Sequence, residues 1–297
     1  MPSGKPGSRP SRSALLGELL GDEPHELARV LEDWLASRRF AAFVRENLTK
    51  VRKKLRGARG EASARDLLLE LTAAHGLVQD KRLAVTYEPT PGGSARGPDF
   101  AVRFTTRQEV MLEVTRLRDD AGGAPAPGDT DGERAPDERG GAPAPGVTTE
   151  APEPDDAGTV RGRGQRDTLD ARRLAGVLAL KLGQTVPDRA NVLLVGVEGD
   201  PPGDEGLAAL LDQVRRDVET TDPEALLKRG FRHRGEYLRR LARLSAVFVR
   251  RAPGLTDEPV TDVALGVWVN PQARAPLPND VRRALVAALG GAGARSR

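Results

Sequence analysis

In the stretch GPDFAVRFTTRQEVMLEVTRL (97–117), two acids, Asp99 and Glu113, stand at the outer ends of two runs that read as strands. Side chains alternate across a strand. With a three-residue loop, Thr105 to Arg107, Asp99 faces Glu113, Ala101 faces Met111 and Arg103 faces Glu109, while Phe100 faces Leu112 and Val102 faces Val110. One face of the hairpin is then wholly apolar (Phe100, Val102, Val110, Leu112, Val114), and the other carries Asp99, Glu113 and Thr115. A one-residue slip would break this segregation, so burial favours this register. Pro98 begins the strand, where a missing N–H is tolerated.

Opposed residues have Cβ atoms about 5 Å apart. Two carboxylates at that distance repel by roughly 3 kcal/mol at an effective dielectric near 20. Three arrangements can offset this. A hard divalent cation, Mg²⁺ or Mn²⁺, can sit between the oxygens. One acid can hold a proton. Or both can stand at a wet edge where the repulsion is weak.

The elements that position this pair follow from periodicity. Residues 24–56 read as helical, with Leu27, Val30, Leu31, Trp34 and Leu35 and then Phe40, Phe43, Val44 and Leu48 at helical spacing. That segment ends in KVRKKLR (50–56), which suits either phosphates or a solvated helix end. A second helix starts near Glu61 and runs to about His75, with Gly76 as its stop. A strand at 82–88 leads into the hairpin. Later come a helix at 167–185, a fully buried strand at 192–197, two or three helices across 204–243, strands at 245–250 and 263–269, and a helix at 279–289 with Asn279 as N-cap. This is an α/β fold whose core runs helix, three strands, helix, strand, with further helices and strands at both ends.

In this reading residues 1–12 are a disordered basic tail and 13–56 an N-terminal helical segment. Residues 57–118 with 167–297 are the α/β domain, and 119–166 are a flexible Pro/Gly-rich insertion in which GGAPAPG occurs twice. Residues 119–160 carry a net charge of −9 against +3 for the whole chain, leaving +12 on the rest. A body that basic suits a polyanionic partner, although solvated arginines that keep a protein soluble would give the same balance.

GPDF followed by EVT, after a helix opening on GExxA (60–64), resembles the PD-(D/E)xK nuclease superfamily, with its restriction-endonuclease-like fold, over about residues 60–198. The resemblance implies a nuclease that hydrolyses phosphodiesters of DNA or RNA with Mg²⁺ or Mn²⁺. Asp99 and Glu113 would be its metal ligands, the Val114 carbonyl would assist, and Glu61 would be the supplementary helix acid. Counted by threes and fours, Glu61 shares a face with Ala64, Leu68, Leu71 and His75, but an acid at a helix N-terminus also stabilises the helix.

The departure from the pattern is Thr115, where the motif has lysine. Either the lysine has moved or the site no longer cuts. In LDARRLAGVLALKLGQ, Leu174, Val177, Leu178, Lys181 and Gln184 share one helical face, so Lys181 and Gln184 are the candidate substitutes. Lys181 could equally snorkel, its stem packed and its amine in water. In KRGFRHRGEYLRRLARL (228–244), Arg232, Arg234, Arg239 and Arg240 with Phe231 and Tyr237 suit phosphates and splayed bases, or an ordinary solvated helix. The alternative to a nuclease is a catalytically inactive nuclease-fold protein serving as a nucleic-acid-binding or scaffold module. A module using the N-terminal helices to bind other proteins is a third reading.

Other classes lack a basis. With no cysteine there is no disulfide, Cys-zinc site or thiol catalysis, and three scattered histidines argue against a His-rich metal site or a Ser-His-Asp triad. GxxxxGK[ST], GxGxxG after a strand and GxSxG are absent. No apolar run reaches the ~18 residues of a membrane helix, and the expectation is a soluble, cytoplasmic chain. The acidic insertion leaves the chain just past Glu113, so it should compete with a phosphate backbone. Deleting residues 122–160 should tighten nucleic-acid binding at low salt, with the gain fading as the ~10 Å screening length at 0.1 M salt shortens further; fluorescence anisotropy with unchanged affinity would contradict this.

Overall fold

The computed structural model describes residues 11–21, 24–90, 97–105, 109–118, 169–255 and 263–290. The basic tail before Ser11, the hairpin-loop residues 106–108 and the acidic insertion lie outside the described residues.

Four short helices come first: α1 (Arg12–Leu20), α2 (Ala28–Trp34), α3 (Arg38–Glu46) and α4 (Leu48–Gly57). The segment 24–56 is therefore three helices, and the breaks have local causes. The Ser37 hydroxyl caps α3 at the Phe40 N–H, and the Asn47 amide bonds back to the Phe43 carbonyl before α4 begins. Helix α5 (Glu61–Gln79) follows, then β1 (Leu83–Tyr87), β2 (Phe100–Phe104) and β3 (Glu109–Arg116). Beyond the insertion come α6 (Ala171–Lys181), a 3₁₀ turn (Leu182–Gln184), β4 (Ala190–Val197), α7 (Asp204–Thr220), α8 (Pro223–Lys228), α9 (Arg234–Leu241), β5 (Leu244–Arg251), β6 (Leu265–Val269) and α10 (Asn279–Leu289).

The strands form one mixed α/β sheet in the order β1-β2-β3-β4-β5-β6. β1, β2 and β3 make an antiparallel meander, β4 and β5 run parallel to β3, and β6 turns back antiparallel. The hairpin has the register expected from its alternation: Phe100 opposite Leu112, Ala101 opposite Met111, Val102 opposite Val110, Arg103 opposite Glu109.

Each sheet face has its own core. On one face Phe100, Val102, Val110, Leu112, Val114, Val192, Leu194 and Phe248 pack with α5, α10 and the helices α1–α4. The N-terminal helical segment thus shares a core with the sheet instead of building its own. On the other face Leu193, Val195, Val197, Val247 and Val249 pack under α6, α7, α8 and α9. β4 is buried along its full length because helices cover both sides. No described helix is long and apolar enough to cross a membrane.

Two expected helix signals differ. Pro278 takes the N-cap of α10, and Asn279 is its first residue. Gly76 does not stop α5; the helix continues to Gln79, and a Cβ at Gly76 would lie 2.1 Å from the Ala288 carbonyl oxygen of α10. Glycine is there for close helix approach. Alanine at an unobstructed helix position would stabilise by up to ~1 kcal/mol. Here it must displace backbone, so Gly76→Ala should destabilise by roughly 1–3 kcal/mol in urea denaturation; a raised midpoint would show that the helices do not meet at this point.

Candidate functional site

β2 begins at Phe100, while β3 continues past Leu112 to Arg116. The Val114 N–H therefore has no strand partner on the β2 side, and the Asp99 carboxylate takes it at 2.8 Å through Oδ2. Asp99 sits in the notch where the two strands separate, one residue before the ladder begins and next to Glu113.

Each acid is met by a lysine from a different side of the sheet. Lys181, the last residue of α6, bonds Glu113 Oε1 at 2.6 Å. Its stem continues the stripe of Leu174, Val177 and Leu178, all buried. The ammonium pairs with Glu113 and stays partly exposed, so one of its three N–H groups is engaged and the others face the pocket rim. Lys54, from α4 on the opposite face, stands 3.8 Å from Asp99 Oδ1, 3.0 Å from Glu88 and 2.6 Å from Glu70 Oε1. Glu70 also accepts the Tyr87 hydroxyl at 2.6 Å. The two acids are thus met by two ammonium groups and by backbone N–H groups, that of Val114 on Asp99 and that of Asp99 toward Glu113.

These groups are largely out of water, and their acidities shift accordingly. Burial, with the neighbouring Asp99 charge, raises Glu113 to about 7 against the opposing pull of Lys181. Burial raises Asp99, with Lys54, the Val114 N–H and Lys181 acting the other way. Glu70 is raised by burial and then by Asp99. Burial alone would lower Lys54, but Glu70, Asp99 and Glu88 outweigh it and its ammonium is held more firmly than in water.

A narrow pocket beside Glu113 is lined by Pro98, Met111, Lys181, Gln184 and Leu193. Two buried oxygens in it, Glu113 Oε2 and Gln184 Oε1, have no hydrogen-bond partner. Buried acceptors without donors need an explanation, and an ion or water is the usual one. Gln184 reaches the pocket from the 3₁₀ turn, three residues after Lys181, so the stripe read from sequence survives although α6 itself ends at Lys181.

The remaining candidates divide. Glu61 opens α5 but is 65% exposed and pairs with Arg65, away from the carboxylate pair. It fits the alternative of an acid at a helix N-terminus. The acid that α5 does turn inward is Glu70. It falls at helical spacing with Leu67, Ala74 and Leu77, all buried, and the same counting by threes and fours applies to it. Lys54 was hidden in KVRKKLR, although Lys50 and Lys54 are one turn apart beside the buried Val51 and Leu55. Thr115 lies opposite Val195 in the β3–β4 ladder, half-buried.

Arg232, Arg234 and Arg239 are exposed on and before α9, whereas Arg240 pairs with Glu236 and lies over Phe231. Phe231 and Tyr237 are core, in edge contact at 4.9 Å, and present no face to a base. Arg240 is 3.7 Å from where a Cβ of Gly183 would be, so this basic helix borders the turn that carries Gln184. His75 stacks on Trp34, with its pKa lowered by burial to about 4, and is a core group.

Two carboxylates in a notch, one with an unpartnered oxygen, fit Mg²⁺ or Mn²⁺, which keeps several waters and needs only one or two protein carboxylates. No ready-made cage of three or more acidic or histidine side chains occurs among the described residues. The chain matches no family model, no curated protein and no solved structure.

The Glu113 shift makes a stability prediction. Glu113 binds its proton more tightly when folded (about 7) than at the ordinary 4.5, so between those pH values the folded chain holds more protons and loses stability as pH rises. His75 acts in the opposite sense between about 4 and 6.5. The readout is therefore the difference between wild type and Glu113→Gln in EDTA. Wild type should lose on the order of 2–3 kcal/mol relative to the variant from pH 4.5 to 7.5. Parallel stability–pH curves would contradict the burial of this carboxyl.

Proposed function

We propose that the chain is a divalent-metal-dependent phosphodiesterase, a nuclease of the PD-(D/E)xK type acting on DNA or RNA, in which the motif lysine has moved from β3 to α6. The observation that carries the reading is the contact of Lys181 with Glu113 at 2.6 Å. Threonine stands at 115, and an ammonium reaches the same carboxylate from the neighbouring helix.

The architecture supports the reading. α5, β1, β2, β3, α6 and β4 follow in the order of a restriction-endonuclease-like core, with a three-stranded meander and a fourth strand parallel to the third. Asp99 and Glu113 would hold the ion, and Glu113 Oε2 is the oxygen free to turn to it. Bound there, Mg²⁺ would supply charge neutralisation on a phosphoryl oxygen and a water of lowered pKa. Lys181 fixes the Glu113 carboxylate and keeps an ammonium at the pocket rim, where it can donate to a water or to a phosphate oxygen. Gln184 offers a neutral amide to the same space. The exposed arginines of α9 give a phosphate backbone a positive border beside the pocket.

A second reading, a nucleic-acid-binding module without catalysis, is favoured by one observation: Lys54 and Lys181 already offset the charge of the two acids. Cleavage of labelled single- and double-stranded DNA and RNA in Mg²⁺ or Mn²⁺ separates the two. The nuclease reading expects cleavage that EDTA, Asp99→Asn and Glu113→Gln abolish and that Lys181→Ala slows by about 10²–10⁴-fold. Binding without cleavage in every metal tested supports the module, and cleavage unchanged in all three variants removes the site.

A further inference from the structure

The fold places KVRKKLR, the basic run that ends the N-terminal helical segment, beside the carboxylate notch. The run lies in α4, whose charged residues, Lys50, Arg52, Lys53, Lys54 and Arg56, are all basic. Val51 and Leu55 are buried and fix the inward side of the helix. Lys54 turns to the notch, 3.8 Å from Asp99. Lys50, one turn earlier, donates to the main-chain carbonyls of Tyr87 at 2.6 Å and Glu88 at 3.2 Å. The Glu88 N–H in turn donates to the Asp99 carbonyl at 2.7 Å, so α4 is anchored to the rim of the notch. Lys50, Lys53 and Arg56 follow at spacings of three and form one exposed row on this helix.

An ordinary solvated helix face would balance these charges. Other helices of the chain do so one turn away: Arg65 pairs with Glu61, Lys228 with Glu224 and Arg240 with Glu236. The row on α4 has no such relief. Among the described residues no ion pair joins Lys50, Lys53 or Arg56 to a carboxylate, and the acids near α4 are taken by Lys54. Lys50 is bonded to neutral carbonyls, which leave its charge uncompensated. A helix dipole favours cations in the last turn, which accounts for Lys54 and Arg56 but not for Lys50, Arg52 and Lys53. Like charges one turn apart, such as Arg52 and Arg56, cost an isolated helix stability.

We infer that the exposed row Lys50, Lys53 and Arg56 of α4 is a binding surface for a nucleic-acid backbone, holding phosphates on the Asp99 side of the notch. The inference rests on the reading of the chain as one that acts on nucleic acid and deepens it by naming a surface that carries the strand. α9 borders the pocket on the Glu113 side, next to the turn that carries Gln184. α4 borders the notch on the Asp99 side. A strand laid across the two acids then meets positive charge on both flanks. Ammonium and guanidinium groups that meet phosphates position a strand without reading its bases, so binding through α4 is indifferent to sequence and steeply dependent on salt. The N-terminal helices gain a role from this, because they hold α4 at the rim.

The test is fluorescence anisotropy of the full chain with labelled single-stranded DNA, double-stranded DNA and RNA, in EDTA so that no cleavage intervenes, over a series of salt concentrations. Lys53→Gln/Arg56→Gln removes two charges from the row, and Arg282→Gln/Arg283→Gln removes two from α10 as a charge-matched control. The α4 variant should bind at least about 10-fold more weakly near 0.1 M salt, and its slope of log Kd against log salt should shrink by roughly 1.4–1.8, two contacts at 0.7–0.9 each. The α10 variant and the charge-conserving Lys53→Arg/Arg56→Lys should keep the wild-type slope. If the α4 double variant is unfolded by circular dichroism, Lys53→Gln alone should give about half that change in slope. Equal losses in the α4 and α10 variants, an unchanged slope in the α4 variant, or no binding of any of the three nucleic acids by wild type overturns the inference. So does binding to phosphatidylserine vesicles that the α4 variant loses while nucleic-acid binding is unaltered. Cleavage is scored separately. A chain that binds through α4 but does not cut keeps the inference and removes the nuclease, and one that cuts with the α4 slope unchanged does the reverse.

Discussion

The structure around the site depends on one electrostatic constraint: like-charged carboxylates held together where β2 and β3 part. Elsewhere in the sheet, backbone pairing and apolar packing are sufficient. In the notch they are not, because Asp99 and Glu113 lie near each other and largely out of water. The fold meets the constraint with helices from both faces. α6 brings Lys181 to Glu113, α4 brings Lys54 toward Asp99, and the unpaired Val114 N–H takes the remaining Asp99 oxygen. Breaking one partner of such an arrangement is far more costly than the pair is stabilising. The packing of α4 and α6 against the sheet is therefore bound up with the charge state of two residues.

This links the two cores. The N-terminal helices and α5 cover one face, and α6 to α9 the other. The carboxylate notch is where side chains from both converge. Two residues past Val114, at the C-terminal end of β3, a second polar network does a more ordinary job. Arg116, with its side chain 5% exposed, joins Asp66 of α5 to Glu198 beyond β4, and Arg65 adds to the same glutamate. Those charges alternate in sign and clamp α5 to the sheet, although Arg65 Nε is left without a hydrogen-bond partner. At the notch the unpartnered atoms are acceptors, Glu113 Oε2 and Gln184 Oε1, whereas in the Arg116 network the unpartnered atom is a donor.

Much of this was legible in the sequence, for identifiable reasons. The hairpin register followed from alternation, since a period of two leaves only one way to bury Phe100, Val102, Val110 and Leu112 together. Lys181 was legible because it extends an apolar stripe on a single helix. Lys54 was not. Its partners lie on other elements, and a run such as KVRKKLR shows charge without showing which residue turns inward. GExxA points to Glu61, whereas burial along α5 turns inward Glu70, two and a half turns later. The contact at Gly76 and the burial of Phe231 and Tyr237 are not legible, because a close helix contact and a buried ring depend on tertiary neighbours, which local pattern does not encode.

The most direct test of the central claim is a crystal of the full chain soaked in Mn²⁺ and measured at a wavelength where manganese scatters anomalously. The account predicts an anomalous peak bonded to Asp99 and Glu113, with Lys181 still beside Glu113. A map with no peak there, and both carboxylates still beside Lys54 and Lys181 as they are here, would contradict it.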